Sequence, residues 1–244
     1  ACNNARAPEI SFAKLPQPHL DRVMNQAAPN NNLAIIIGAS GGIGSAIQEQ
    51  LVASRSYAQI WGTSRKGPHP LDLTHEPSIA ALAEQVKSSG LDLRLIFDAT
   101  GYLHGPQGGP EKSWSAIDAN AMAYQFAINA IGPALLIKHL LPLLPRQGRS
   151  VFATISAKVG SVSDNHLGGW YGYRASKAAL NQLVKTASIE LARKRPHAIC
   201  LALHPGTVET PLSDPFAKNN VRLQTPAQSA AAMLDVIGQA TTQQ

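Results

Sequence analysis

The feature that most constrains this chain is a run of five aliphatic residues, Leu33-Ala34-Ile35-Ile36-Ile37, that passes directly into Gly38-Ala39-Ser40-Gly41-Gly42-Ile43-Gly44. A short, continuous apolar run is the signature of a strand buried on both faces. The glycines allow a tight reversal and a close backbone approach, and a helix pattern follows them. Strand, glycine turn and helix in succession make an α/β unit, with a helix N-terminus aimed at whatever binds above the turn.

The pattern recurs along the chain. Apolar runs at 33–38, 59–63, 93–98, 150–155 and 198–203 predict strands, and the stretches 43–53, 77–88, 113–120, 121–144, 171–194 and 226–238 predict helices. This alternation predicts βαβ units, hence an α/β fold with a doubly wound parallel sheet of Rossmann type. One such domain accounts for 33–244, with no internal repeat and no second domain. Residues 1–32, rich in Asn, Pro and Ala, read as a flexible N-terminal extension with at most a short docking helix over 20–24. The chain ends at Gln244, just after the last predicted helix, so the sheet is expected to lack a final strand and to expose an edge.

Charge and cysteine usage narrow the function classes. The net charge is +6, but the basic residues are dispersed, and the one cluster, Arg193-Lys194-Arg195, falls at the predicted end of a helix. No aromatic stacking motif accompanies it, so nucleic acid is not an expected partner. No uninterrupted apolar run approaches the roughly 20 residues of a membrane-spanning helix, and no membrane partner is expected. The two cysteines, Cys2 and Cys200, are far apart, and Cys200 lies inside an apolar run. A reducing, cytoplasmic setting fits that usage; the N-terminal extension leaves import into an organelle open. The histidines are scattered and neither cysteine is paired, so no metal site is expected.

The loop spacing is Gly38-x-x-x-Gly42-Ile43-Gly44, and a dinucleotide phosphate over it would meet Gly38, Ser40, Gly42, Ile43 and Gly44. A glycine loop alone also describes an ordinary strand–helix turn; its place at the start of the fold favours nucleotide binding. The second predicted strand ends in Trp61-Gly62-Thr63-Ser64-Arg65. A carboxylate here would receive the adenosine ribose. Arg65 instead offers a guanidinium suited to a 2′-phosphate, which favours NADP, with NAD as the alternative. Against that, Gly41 rather than a second basic residue precedes Gly42.

Tyr173-Arg174-Ala175-Ser176-Lys177 carries the chemistry. Residues four apart share a helix face, so Tyr173 and Lys177 project together. An ammonium near a phenol is expected to lower its pKa from about 10 toward neutrality. Such a tyrosine exchanges a proton with a carbonyl or alcohol oxygen.

Five motifs now stand in order: the glycine loop, Asp72-Leu73-Thr74, Asn129-Ala130-Ile131-Gly132-Pro133, Tyr173-x-x-x-Lys177, and Pro205-Gly206-Thr207-Val208-x-Thr210. With them the sequence resembles the short-chain dehydrogenase/reductase family over about 33–239. The run Gly168-Gly169-Trp170-Tyr171-Gly172-Tyr173 narrows the resemblance to the C-factor-like branch, which is tied to cell–cell signalling. The resemblance implies Tyr173 as general acid/base and Lys177 as the residue that holds the nicotinamide ribose. It implies Asn129 as the support of a proton-relay water, and Asp72 and Leu73 as the adenine pocket. Ala99 and Gly101 would line the cofactor, and Pro205, Gly206, Thr207 and Val208 would lie against the nicotinamide. It also implies a homodimer or higher homo-oligomer formed through helices 121–144 and 171–194.

The sequence departs from the family pattern in several places. Where a catalytic serine is expected, three residues before Gly160, stands Ala157. Ser156, Ser161 or Ser163 could supply the donor from a rearranged loop, and Ser156 is the candidate carried forward. Losing such a donor slows chemistry by roughly 10²–10³. The family's Asn-Asn-Ala-Gly segment reads Asp98-Ala99-Thr100-Gly101, which is expected to weaken central polar support and to perturb Asp98. The stretch between Gly160 and Tyr173 is long and contains His166, best read as a solvated loop histidine. The substrate pocket is expected from 102–109, 159–170 and 210–221. The expected activity is hydride transfer between NADP(H) and a small-molecule carbonyl or alcohol. The alternative is a nucleotide-binding signalling or regulatory protein with weak or no reductase activity.

Overall fold

The aliphatic run forms β1 (Asn32–Ile37), buried along its whole length. It begins one residue earlier than predicted, because Asn32 is itself buried, its amide donating to the Ser56 carbonyl and its oxygen accepting from the Ala58 N–H. The computed structural model describes residues 31–214 and 223–242. The short helix expected over 20–24, Cys2 and residues 215–221 of the expected substrate pocket lie outside the described residues.

With β2 (Gln59–Thr63), β3 (Asp92–Asp98), β4 (Ser150–Ile155) and β5 (Ala198–Leu203), β1 builds one parallel sheet in the order β2-β1-β3-β4-β5. The chain therefore leaves β1 toward β2 on one side and returns to β3 on the other. That reversal opens a crevice at the carboxyl ends of β1 and β3, where doubly wound sheets bind ligands. Among the described residues β5 forms one edge of the sheet.

Two helical layers cover the sheet. Leu33, Ile35, Ile37, Leu93, Ile96 and Phe152 face α2 (Glu76–Ser89), α4 (Gly132–Leu140) and α5 (Tyr171–Lys194). Ala34, Ile36, Leu95, Phe97, Val151 and Ile199 face α1 (Gly42–Ser54) and α6 (Pro226–Gln239). Alternate residues serving opposite cores is the consequence of the period-two strand. In β3 the phase slips once: Leu33 pairs with Leu93 but Ala34 pairs with Leu95. The bulge at Arg94 sends Leu93 and Leu95 to different cores.

Two helix expectations are corrected. No helix spans 113–120; a 3₁₀ turn at Trp114–Ala116 ends and the chain extends through Asp118, whose carboxylate accepts from the Ala121 N–H at 2.8 Å. That cap starts α3 at Ala119 (Ala119–Phe126). Nor is 121–144 one regular helix. A π-turn at Ala127–Ile131 separates α3 from α4, and a 3₁₀ turn at Leu141–Leu143 follows. Pro133 has no N–H to return to the carbonyl four residues back, that of Asn129, so the α ladder fails there.

The run Ala119–Leu143 is long and apolar enough, by length and composition, to cross a membrane, with an 18-residue stretch of mean hydropathy 1.5. Scanning for uninterrupted apolar residues overlooks it, because polar residues punctuate it. Its inner face joins the core, with Leu136 and Leu140 wholly buried, while Ile131 is exposed.

Candidate active site

The glycine loop is shaped by what cannot fit into it. Gly38 turns out of β1 at φ +79°, and its N–H and that of Ala39 donate to the Thr63 carbonyl of β2. A Cβ on Gly44 would lie 2.2 Å from the Gly38 carbonyl oxygen, and one on Gly42 would lie 3.1 Å from the Thr210 methyl. Helix α1 therefore rises hard against the turn, and no side chain caps its N-terminus. The result is a side-chain-free cradle beneath a helix N-terminus, which fits a dinucleotide phosphate. Ser40 and Gly42 are exposed at its rim, while Gly44 is buried and Ile43 packs toward the α1 core.

Beside the cradle, Ser64 and Pro70 form an isolated parallel bridge, and the Leu71 N–H donates to the Ser64 carbonyl at 2.8 Å. This pairing brings Asp72 alongside Arg65. The Asp72 carboxylate accepts from the Thr74 N–H at 2.8 Å and hydroxyl at 2.7 Å. Those bonds, with the nearby Arg65 charge, hold it below the usual carboxylate range. Leu73 is buried against Gly132, where a Cβ would come within 2.9 Å of its own.

Across the crevice, β3 ends in Asp98, wholly buried and satisfied by three donors. Asp98 accepts from the Thr100 N–H (3.0 Å) and hydroxyl (2.5 Å) and from the Thr154 hydroxyl on β4 (2.8 Å). The expected weakening of polar support is thus corrected: the carboxylate ties β3 to β4 itself. Burial nonetheless raises its pKa against those bonds and the Lys177 charge. Ala99 then donates to the Ile37 carbonyl at 2.8 Å. Gly101 follows, its missing Cβ 3.8 Å from both the Asn129 oxygen and the Lys177 nitrogen.

Asn129 sits in the π-turn, 1% exposed. Its oxygen accepts from the Tyr102 N–H and its amide donates to the Tyr102 carbonyl, each at 2.8 Å. The same amide donates to Ser176 at 3.1 Å, and Ser176 donates to the Tyr173 carbonyl at 2.9 Å. Asn129 is thereby locked to both the post-β3 segment and the helix that carries Tyr173. The bonds that tie Tyr102 and Ser176 to Asn129 are not foreseeable from sequence, because backbone pairing and a helix-interior serine leave no sequence mark.

Tyr173 and Lys177 lie on the buried face of α5. The Lys177 ammonium donates to the Ile155 carbonyl at 2.8 Å and sits 5.9 Å from the centre of the Tyr173 ring. Burial lowers Lys177 to about 8 despite the charge of Asp98. Tyr173 corrects an expectation: burial pushes it up to about 12. The cation stands over the ring and is engaged with a backbone carbonyl, so desolvation of the phenol wins.

Ser156 does not join Tyr173. Strand β4 stops at Ile155, and the Ser156 hydroxyl donates to the Asn181 oxygen, two helical turns beyond Tyr173, at 2.6 Å. Ala157, in extended conformation, enters the 3₁₀ turn Lys158–Gly160. Ser161 and Ser163 pair with each other on an exposed loop. Opposite, the Pro205 carbonyl accepts from Ser229 at 2.7 Å, and Gly206 turns at φ +78°. The Thr207 carbonyl accepts from the Gln224 N–H at 2.9 Å, and Val208 is buried and bridged to Gln224.

Residues 42–241 match the family described as enoyl-(acyl carrier protein) reductase. The chain belongs to the short-chain dehydrogenase/reductase family. It is 30% identical to 1-hydroxy-2-glutathionyl-2-methyl-3-butene dehydrogenase of Rhodococcus sp. (strain AD45), over 85% of this chain and 91% of that protein. It is 36% identical to C-signal of Myxococcus xanthus, over 49% of this chain and 76% of that one. Among solved structures, NADPH-bound carbonyl reductase from chicken fatty liver superposes with a TM-score of 0.73 at 25% identity, over 87% of this chain and 93% of that one. A short-chain dehydrogenase/reductase is an oxidoreductase.

Proposed function

We propose that this short-chain dehydrogenase/reductase reduces a small-molecule carbonyl at the expense of NADPH, or runs the reverse oxidation, with Tyr173 as the proton-exchanging residue. One observation carries the reading: Tyr173, Lys177, Asn129 and Gly101 converge at the crevice whose other wall is the glycine cradle. The fit of a dinucleotide rests on that cradle, which a single Cβ would fill. When bound there, a reduced nicotinamide supplies the hydride. Gly38, Ser40, Gly42, Ile43 and Gly44 would hold its phosphates, and Arg65, Asp72 and Leu73 its adenosine half. Ala99, Gly101 and Pro205 to Val208 would line the remainder.

Tyr173, a neutral phenol at working pH, presents its proton to the substrate oxygen. Lys177, its ammonium 5.9 Å from the centre of the phenol ring, answers with its charge the negative charge that develops when the proton leaves. Asn129 fixes the geometry between α5 and the segment at Tyr102. Ser156 is engaged by Asn181 and takes no part in the proton exchange. The preference for NADPH rests on Arg65.

A second reading has its own support. Ala157 and the engaged Ser156 leave the oxyanion side without a serine donor, which suits a nucleotide-binding regulatory protein with little turnover. Both readings predict binding of NADPH, followed by nicotinamide fluorescence and weakened in Arg65→Ala. They part on carbonyl-dependent NADPH consumption at 340 nm. Turnover that Tyr173→Phe abolishes supports the enzyme; binding without turnover supports the regulatory reading. Cys200, a free thiol packed against the core, accords with a cytoplasmic location. Self-association through α3–α4 and α5 is proposed as well, and sedimentation velocity would test it.

A further inference from the structure

The entry into α5 is built against the preference of its own residues. Gly168, Gly169 and Trp170 are consecutively left-handed, at φ 64°, 66° and 56°. Among the described residues the other non-glycine with positive φ is Arg55, at the C-cap of α1, where that conformation is common. Trp170 is instead an N-cap, a position that is normally extended. A bulky residue with positive φ is a genuine outlier, and such outliers gather where function needs them.

The strain is held by a buried clamp. The Trp170 N–H donates to the Glu111 carbonyl at 2.5 Å, and the Gly172 N–H donates to both carboxylate oxygens of Glu111, at 3.2 and 3.1 Å. Glu111 is 5% exposed, and Gln125 of α3 lies so close that a Cβ on Gly172 would come within 2.8 Å of its oxygen. What the clamp secures is the direction of the indole. Tyr171, Arg174 and Ala178 line a cavity of about 300 Å³ together with the loop that precedes the helix, from Val159 to Gly169. Trp170 is not among the residues lining it, and its ring stands 6.1 Å from that of Tyr173, inclined at 74°. A glycine would take this backbone without strain, so what tryptophan adds at this position is its ring.

The surroundings favour a planar ligand. Tyr102, whose backbone pairs with Asn129, meets Tyr124 edge-on at 4.8 Å, a second aromatic pair at this end of a chain with 5% aromatic residues. Two cations of the same helix are committed elsewhere: Arg174 donates to the Gly169 and Val159 carbonyls, and Lys177 to that of Ile155. We infer that Trp170 is a specificity-determining wall of the substrate site, and that the carbonyl presented to Tyr173 is an aryl ketone or aldehyde whose ring stacks on the indole. This deepens the carbonyl-reductase reading above and rests on it.

The test compares kcat/KM for acetophenone and 2-butanone with NADPH, in the wild type, Trp170→Gly and Trp170→Phe. Glycine keeps the left-handed backbone and removes the ring; phenylalanine keeps a ring. The expected result is a wild-type preference for acetophenone of about tenfold or more, lost in Trp170→Gly and largely retained in Trp170→Phe. NADPH fluorescence reports that each variant is folded. An unchanged aryl-to-alkyl ratio in folded Trp170→Gly, or an equal loss on both substrates, overturns the inference. Should Trp170→Gly fail to bind NADPH, indole fluorescence decides. Acetophenone, and not 2-butanone, should quench the NADP⁺-bound wild type, and Trp170→Phe should remove that component; equal quenching in both proteins overturns the inference. A wild type that oxidises NADPH with no carbonyl at all refutes the parent reading, and is a different outcome from a lost preference.

Discussion

Replacing Lys177 by Met separates what this residue does for chemistry from what it does to the fold. Lys177 is 2% exposed, and burial brings it from 10.5 to about 8. At about 1.4 kcal/mol per pH unit, that gap corresponds to about 3 kcal/mol of stability lost at neutral pH by holding the ammonium inside. The sign follows from proton counting. Between about 8 and 10.5 the unfolded lysine keeps a proton that the folded one has released, so the wild type gains stability as pH rises through that window and loses it as pH falls. Methionine, similar in length and uncharged, has no such dependence. It forfeits the bond to the Ile155 carbonyl, roughly 1–3 kcal/mol, but that cost does not vary with pH. Urea unfolding followed by circular dichroism at pH 7, 8.5 and 10 should therefore show the difference between Lys177→Met and wild type drifting by about 2–3 kcal/mol in favour of the wild type. Tyr173 titrates in both proteins and cancels. Repeating the pair in an Asp98→Asn background removes the buried carboxyl that acts on Lys177. Curves that stay parallel within about 1 kcal/mol would refute burial as the origin of the perturbation. Carbonyl reduction should be lost in the variant at every pH.

The cradle predicts that Gly44→Ala, whose Cβ would sit 2.2 Å from the Gly38 oxygen, lowers stability by roughly 2–3 kcal/mol and weakens NADPH binding at least tenfold; differential scanning fluorimetry and fluorescence titration check the two effects. Thr154→Val removes one of the Asp98 donors and should cost about 1–3 kcal/mol. Because the folded pKa of Asp98 is already raised, stability present at low pH is lost as pH rises through it. Removing a donor deepens that loss, so the cost should be larger at pH 8 than at pH 4; an equal cost at both would count against a charged Asp98. Ala157→Ser restores a hydroxyl where the family has one and should raise kcat by about tenfold or more, with little change in NADPH affinity; a rate no higher than wild type would remove Ala157 as the explanation for slow turnover.

Much of the fold was legible because it rests on local rules. The strands at Gln59–Thr63, Ser150–Ile155 and Ala198–Leu203 stand as their apolar runs predict, and α5 spans Tyr171–Lys194 as expected. The misses are places where one residue overrides a periodic pattern: the Asp118 cap divides 113–120 from its helix, and Pro133 breaks the ladder at Asn129. At the site, spacing places Tyr173 and Lys177 on one face, but spacing carries no information on burial, so the direction of the Tyr173 perturbation came out reversed. Glu111 left no trace at all, since its partners Trp170 and Gly172 lie some sixty positions away. Asp98-x-Thr100 could have been found, because an aspartate followed two residues later by threonine is a local bonding pattern in its own right.

The π-turn at Ala127–Ile131 has a bearing on how chains like this diverge. It carries one residue more than a regular α-helical turn would, and each residue of an α-helix turns by about 100°. Excising one residue there would leave the hydrophobic composition and the helical propensity of the segment almost untouched. It would nonetheless wind α3 against α4 by that angle, swinging Asn129 off Tyr102 while Leu136 and Leu140 stayed seated in the core. A homologue with a one-residue gap at this point would keep its fold and lose the geometry around Tyr173. The length of this helix, counted to the single residue, is thus a marker of competence that no side-chain comparison would register.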